Sequence, residues 1–321
     1  MAAGIVVLGT GGTIAGTSDV AGANVGYTAA QLGVQQLLAA VPQLAQAARG
    51  LLRAEQVAQI DSKDMGPAVW VRLVQRCLVH LADEAVAGLA ITHGTDTLEE
   101  TAWLLHNLLP AHKPVVLTSA MRPATALAPD GPQNLLDAVT LAAQPAARGV
   151  LAVGAGVIHG ARDVSKVHPL RLDAFASGDG GPLGWVEGGR VRWAHGCAPQ
   201  ALPPAHAGLA GRLGEGGQWS MQWPRVAIVM SHAGADGSVV DALVGAGFAG
   251  LVVAATGNGT LHEALYPALL RAEQAGVAIR LASRCPQGRM LAQADERWAD
   301  PLGLPPVKAR ISLMLELMAR A

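Results

Sequence analysis

Apolar residues in this chain fall in short runs, and between the runs they recur every three or four positions. The stretches "IVVL" (5–8), "QVAQI" (56–60), "GLAIT" (88–92), "PVVLTSA" (114–120) and "GVLAVGAGVI" (149–158) read as buried strands. Val69–Leu81 and Leu98–Leu109 carry the spacing of amphipathic helices. Continuous apolar runs, rather than strict alternation, mark strands covered on both faces. The expected first domain is therefore a doubly wound, mainly parallel sheet with helices on both faces. A shorter series follows, in which "RVAIVMS" (225–231), "GLVVAAT" (250–256) and "VAIRLAS" (277–283) alternate with helical stretches and end in a helix near Val307–Arg320. This second series predicts a smaller α/β domain, also with a parallel sheet.

Between the two series lies "CAPQALPPAHAGLAGRLGEGGQW", rich in Pro, Gly and Ala and without periodicity. It suggests an N-terminal domain over 1–195, a linker over 196–223 and a C-terminal domain over 224–321. The segments "GLAITHGTDTLEETAWLL" and "GLVVAATGNGTLHEALYPALL" share one local plan of strand, Gly/Thr loop and helix. Their likeness is too short to define a repeat.

Composition narrows the function classes. With 321 residues, 51% of them hydrophobic, the chain can bury a sizeable core. A formal net charge of −1 and only 15% charged residues exclude a polyanion-binding surface, so no nucleic acid is expected. No apolar run is long enough to span a bilayer, and the uncharged N-terminal stretch reads as a buried strand rather than a leader. The three cysteines, Cys77, Cys197 and Cys285, are far apart and form no metal spacing. They suggest reduced thiols in a cytoplasmic protein.

Candidate chemistry begins at "GTGGTIAG" (Gly9–Gly16), directly after the first strand. A dinucleotide fingerprint needs a third glycine where Ile14 stands, and a phosphate loop needs a lysine that is not there. The turn then holds hydroxyls, Thr10 and Thr13, rather than phosphates. In "THGTDTLEET" (Thr92–Thr101), Asp96 or Thr97 followed three residues later by Glu99 or Glu100 is a capping-box pattern. Thr95 and Asp96 also fall at the carboxyl end of an expected strand, the edge where open α/β sheets bind ligands. Lys166, in "GARDVSKVHP", could lose its proton beside a threonine and act as a base.

Taken in order, "TGGTIAG", "DSKDM", "ITHGTDTLEETA", "PVVLTSAMRP", "DGPQNLLDA", "GARDVSK", "GPLGW", "GNGTL" and "SRCPQG" resemble the bacterial-type L-asparaginases. That amidohydrolase family also includes glutaminase-asparaginases. The resemblance implies hydrolysis of the side-chain amide of L-asparagine to L-aspartate and ammonia, without metal or cofactor. By it, Thr13 matches the nucleophile and Tyr27 the loop tyrosine that assists it. Thr95 matches the second threonine, with Lys166 as its base and Asp96 beside it. Ser62 and Asp96 match the residues that hold the substrate's α-carboxylate and α-ammonium, and Ala120 the backbone carbonyl that orients the leaving amide. Whether an acyl-enzyme forms or water attacks directly stays open.

Three positions bear on substrate affinity. Relatives commonly carry a glutamine where this chain has Lys63. Thr260 matches a contact from a neighbouring subunit, and Asp295 or Glu296 could supply the acid that reaches in from that neighbour. The resemblance thus implies active sites shared within dimers, and a homotetramer built from two of them. A dual glutaminase-asparaginase, or a non-catalytic binding protein on the same fold, are the competing readings.

Overall fold

The computed structural model describes residues 3–20, 22–195, 209–211, 223–291 and 297–320. The chain divides into two compact units, the first holding the described residues up to 195 and the second those from 223 onward. Most of the expected linker lies outside the described residues.

The first unit opens with β1 (Gly4–Gly11), α1 (Val34–Ala39), α2 (Leu44–Ala47), β2 (Leu52–Ile60), α3 (Pro67–Ala82), β3 (Val86–Thr92), α4 (Leu98–Leu108), β4 (Pro114–Thr118) and α5 (Gly131–Ala142). It continues with β5 (Gly149–Gly154), β6 (Val157–Gly160), β7 (Ser165–Lys166), β8 (Phe175–Ala176), β9 (Gly184–Glu187) and β10 (Arg190–Trp193). Eight strands form one sheet in the order β10-β9-β6-β5-β4-β3-β1-β2. The β5, β4, β3, β1 and β2 portion is parallel throughout, and β6, β9 and β10 extend it antiparallel.

Both faces of the sheet are covered, as the unbroken apolar runs imply. Ile5 and Val7 of β1 join a core with Val34 and Leu37 of α1 and Leu135, Ala138 and Leu141 of α5. Val6 and Leu8, which point the other way along the same strand, are as deeply buried. On α3, Pro67 occupies the first turn, and Val69, Trp70, Leu73, Val74, Cys77 and Leu81 form one buried stripe. Burial in apolar surroundings pushes the Cys77 thiol pKa up, so that sulfur is inert near neutrality.

The structure corrects the reading of 149–158 as a single strand. Residues Gly149–Gly154 and Val157–Gly160 form a tight hairpin. Ala155 (φ 49°) and Gly156 (φ 76°) both take the left-handed conformation its two-residue turn requires. A non-glycine residue at the first turn position hides this signal. The hairpin turns the sheet antiparallel and leads the chain towards β7, which carries Lys166.

The second unit contains β11 (Val226–Met230), α6 (Ser238–Gly245), β12 (Gly250–Ala255), α7 (Leu265–Gln274), β13 (Ala278–Ser283) and α8 (Pro306–Arg320). Its three strands are parallel in the order β11-β12-β13. Val229, Val240, Leu251, Val253, Leu269, Leu281 and Trp298 form its core. Among the described residues no helix is long and apolar enough to cross a membrane.

Candidate active site

The loops after β1, β2 and β3 converge at the carboxyl edge of the large sheet. Gly12 sits at φ 80°. A Cβ there would overlap the Cα of Gly94, and one on Gly94 would overlap the Ser62 hydroxyl. Only hydrogen fits at both places, so Gly12 and Gly94 meet backbone to backbone and the Ser62 side chain packs directly on Gly94. This close approach accounts for Gly12 within the glycine-rich stretch.

Thr13 begins a single 3₁₀ turn, Thr13–Ala15, and is buried. Its hydroxyl lies 2.7 Å from the Tyr27 hydroxyl. Tyr27 reaches it from a loop closed by reciprocal backbone bonds between Thr17 and Thr28, at 2.9 and 2.8 Å. Ile14 packs towards Gly131 and Ala120, which brings the segment after β4 close to the Thr13 turn. That segment is held from α5: Asn134 Nδ2 donates to the Ser119 carbonyl, and the Asp130 carboxylate accepts from the Met121 and Arg122 amides, all at 2.9 Å. Ala120 is buried between these anchors.

Thr95, Asp96, Ser62 and Lys166 form a second group. Lys166 Nζ donates to Thr95 Oγ1 at 2.8 Å and to Asp96 Oδ1 at 2.6 Å. The Asp96 amide donates to Ser62 Oγ at 3.2 Å, and the Thr97 hydroxyl donates to the Ser62 carbonyl at 2.7 Å. The lysine side chain is mostly buried while Asp96 is about half exposed. The Asp96 carboxylate is therefore the more solvent-accessible partner of the pair. The Thr95 hydroxyl thus accepts a hydrogen bond from a mostly buried lysine side chain.

The capping-box reading of this stretch does not hold. Thr97 occupies the N-cap of α4 but makes no side-chain cap bond. Its hydroxyl is bonded to Ser62 instead, and Glu99 is turned towards the segment carrying Lys166. Glu99 Oε2 accepts from Ser165 Oγ at 2.8 Å and Glu99 Oε1 from the Lys166 amide at 3.1 Å.

Sequence reasoning also passed over His93, which is fully buried behind Thr95. Trp70 Nε1 lies 2.9 Å from Thr101 Oγ1, Thr101 Oγ1 lies 3.0 Å from His93 Nε2, and His93 Nδ1 lies 2.7 Å from the Gly94 carbonyl. An indole nitrogen only donates and a carbonyl only accepts, so the chain runs one way, Trp70 to Thr101 to His93 to Gly94. Burial brings the His93 pKa down to about 4, which keeps the ring neutral. The network fixes the Gly94–Thr95 peptide plane and so the direction of the Thr95 N–H. The sequence signal was a histidine at a strand end, eight residues before a threonine on the facing turn of α4.

Lys63, Thr260 and the two late acids remain. Lys63 is largely exposed and pairs with Asp61 at 3.2 Å and Asp64 at 2.9 Å. Hydrogen bonding to Asp64, then Asp61, holds its ammonium pKa above the usual lysine range. Thr260 belongs to the second unit, where its hydroxyl lies 2.8 Å from that of Thr256 in an exposed turn. Asp295 and Glu296 lie outside the described residues.

A mainly parallel α/β unit with two threonine-centred groups at its carboxyl edge, followed by a small parallel α/β unit, is the plan of a two-domain hydrolase family. The family model "Asparaginase, N-terminal" matches residues 4–198, and "Glutaminase/Asparaginase C-terminal domain" matches residues 225–320. The chain belongs to the asparaginase family. It is 37% identical over 320 residues to L-asparaginase 2 of Escherichia coli (strain K12), covering 98% of this chain and 88% of that one. It is also 37% identical over 324 residues to the glutaminase-asparaginase of Pseudomonas fluorescens biotype A, covering 98% and 86%. Among solved structures, the crystal structure of a probable cytoplasmic L-asparaginase from Campylobacter jejuni is similar, with TM-score 0.87 and 35% identity. The match covers 98% of this chain and 95% of the other.

Proposed function

We propose that this protein hydrolyses the side-chain amide of L-asparagine to L-aspartate and ammonia, with Thr13 as the nucleophile. The observation that carries this reading is that each of two buried threonine hydroxyls has an activating partner within bonding distance. Thr13 has Tyr27 at 2.7 Å, and Thr95 has Lys166 at 2.8 Å.

Asp96 offers its exposed carboxylate to the substrate α-ammonium. The Ser62 hydroxyl, which accepts from a backbone amide, keeps its own proton to donate to the α-carboxylate. With the head group held, the amide carbon faces Thr13. Thr13 Oγ1 attacks the amide carbon, passing its proton to the Tyr27 oxygen while Tyr27 gives its own phenolic proton to the amide nitrogen, and a tetrahedral intermediate forms. Its oxyanion is stabilised by backbone N–H groups that include Thr95's, a donor type worth roughly 100- to 1000-fold in rate. Collapse expels ammonia, oriented by the Ala120 carbonyl, and leaves an ester on Thr13. Water then attacks that ester, its proton passing by way of the Thr95 hydroxyl to Lys166 in its amine form, and Thr13 leaves on a proton from Tyr27 that the new carboxyl replaces, which frees aspartate. The test is ammonia release from L-asparagine by wild type and by Thr13→Ala. Activity retained in the mutant would refute the nucleophile.

A dual glutaminase-asparaginase is the second reading. It is favoured by equal 37% identity to relatives named L-asparaginase 2 and glutaminase-asparaginase. Rates on both amides separate the two. The same reading makes the protein a cytoplasmic homotetramer in which a neighbour's second unit, through Thr260 and Asp295 or Glu296, completes each site. Full activity in a monomeric fraction at assay dilution would refute the shared site.

A further inference from the structure

Lys166 can act on Thr95 only if its backbone is held still, and the strand that carries it is weak. β7 is two residues long and, among the described residues, pairs with the equally short β8, Ser165 opposite Ala176 and Lys166 opposite Phe175, with one further bond from the Val167 amide to the Ala174 carbonyl. A lysine has four side-chain torsions to freeze as well, so a short ladder alone leaves its ammonium poorly placed. Glu99 makes up the difference. It stands in the first turn of α4, three residues after Asp96, yet both of its carboxylate oxygens are used 66 and 67 residues away. One accepts from the Ser165 hydroxyl at 2.8 Å, the other from the Lys166 amide at 3.1 Å.

Lys166 is thus tied at both ends to one segment: its backbone to Glu99, its ammonium to Thr95 and Asp96. The loop that presents the threonine also positions the lysine, so any shift of α4 moves both together. We infer that Glu99 is a positioning residue for Lys166, setting the Lys166–Thr95 distance without touching substrate. This inference rests on the catalytic reading of Lys166.

Three variants test it, with kcat, KM and melting temperature measured for each on L-asparagine. Glu99→Ala removes both acceptors and should lower kcat about 100-fold, the scale of loss from a misplacement near 1 Å, with KM changed less than about threefold. Glu99→Gln keeps the shape. Its amide oxygen can accept from the Lys166 N–H while its NH₂ donates to a reoriented Ser165 hydroxyl, so kcat should stay within about fivefold of wild type. Lys166→Met should be essentially inactive.

If Lys166→Met is inactive while Glu99→Ala keeps its kcat, or loses activity through KM, the positioning role is overturned and the lysine's role stands. Glu99→Gln as damaged as Glu99→Ala would overturn it too, by showing that charge rather than placement is needed. Wild-type rates in Lys166→Met would refute the lysine and this inference with it. Should Glu99→Ala fail to fold, Ser165→Ala breaks one of the two anchors without altering α4. It should lose several-fold in kcat at constant KM, and an unchanged kcat would overturn the role.

Discussion

Asp137→Asn should stabilise this protein, and only above about pH 5. Asp137 lies on the buried side of α5, 3% exposed, and accepts a hydrogen bond from Gln133 Nε2 at 2.8 Å. Burial raises its pKa from 3.8 to about 6. Each unit is worth about 1.4 kcal/mol, so ionising this carboxyl in the fold costs about 3 kcal/mol relative to the unfolded chain. The sign is that of an acid whose folded pKa is raised. The native state holds the extra proton between about pH 4 and 6, and stability falls as pH climbs through that window. His93 runs the other way. Its pKa falls from 6.5 to about 4, so the unfolded chain binds the extra proton and stability rises with pH over nearly the same window. In the wild type the two contributions largely offset.

Asparagine at 137 keeps the acceptor for Gln133 and removes the charge. The mutant should match wild type at pH 4 and exceed it by roughly 2–3 kcal/mol at pH 8. Urea unfolding at both values, extrapolated linearly to water, reads the difference, and subtracting wild type cancels the other titrating groups. Equal stability at pH 8 would mean that the ionised carboxylate is solvated or paired in the native state. Lower stability would mean that the fold uses the charge. Either result would refute the argument.

Other outcomes follow from the site. Gly12→Ala places a Cβ on the Gly94 backbone at φ 80°, so kcat/KM for asparagine should fall at least about 100-fold even if the protein folds. Activity near wild type would mean that the loops after β1 and β3 can separate without penalty. Lys63→Gln should change KM less than about threefold, because two carboxylates already neutralise the lysine at the surface. A tenfold fall in KM would place the lysine against the substrate head group. Thr95→Val keeps the volume and removes the hydroxyl that Lys166 contacts, so turnover should be lost by several orders of magnitude while the melting temperature holds. Turnover within tenfold of wild type would exclude Thr95 from the chemistry.

Much of the fold was legible in the chain because a strand buried on both faces must be apolar at every position. Ile5 to Leu8 is such a run, and all four side chains are buried in the covered sheet. The residue types of the site were legible for a different reason. Hydroxyls, a lysine and carboxylates beside glycines, in a fixed order of motifs, resemble one family, and that resemblance nominated Thr13, Thr95, Asp96 and Lys166. Where those side chains lie could not be read from spacing. Thr95 and Lys166 are 71 residues apart, and their 2.8 Å contact depends on a hairpin whose turn begins with an alanine at positive φ. Glu99 shows the same limit from the other side. Locally it fits a helix cap, since a carboxylate near a helix start can serve its free amides. In the folded chain a serine hydroxyl and a lysine amide reach it first. Local pattern therefore determined the elements and nominated the chemistry, because both are set by near neighbours and by burial. Tertiary structure alone decided which polar groups found one another, because each hydrogen bond goes to whichever partner the packing brings within 3 Å.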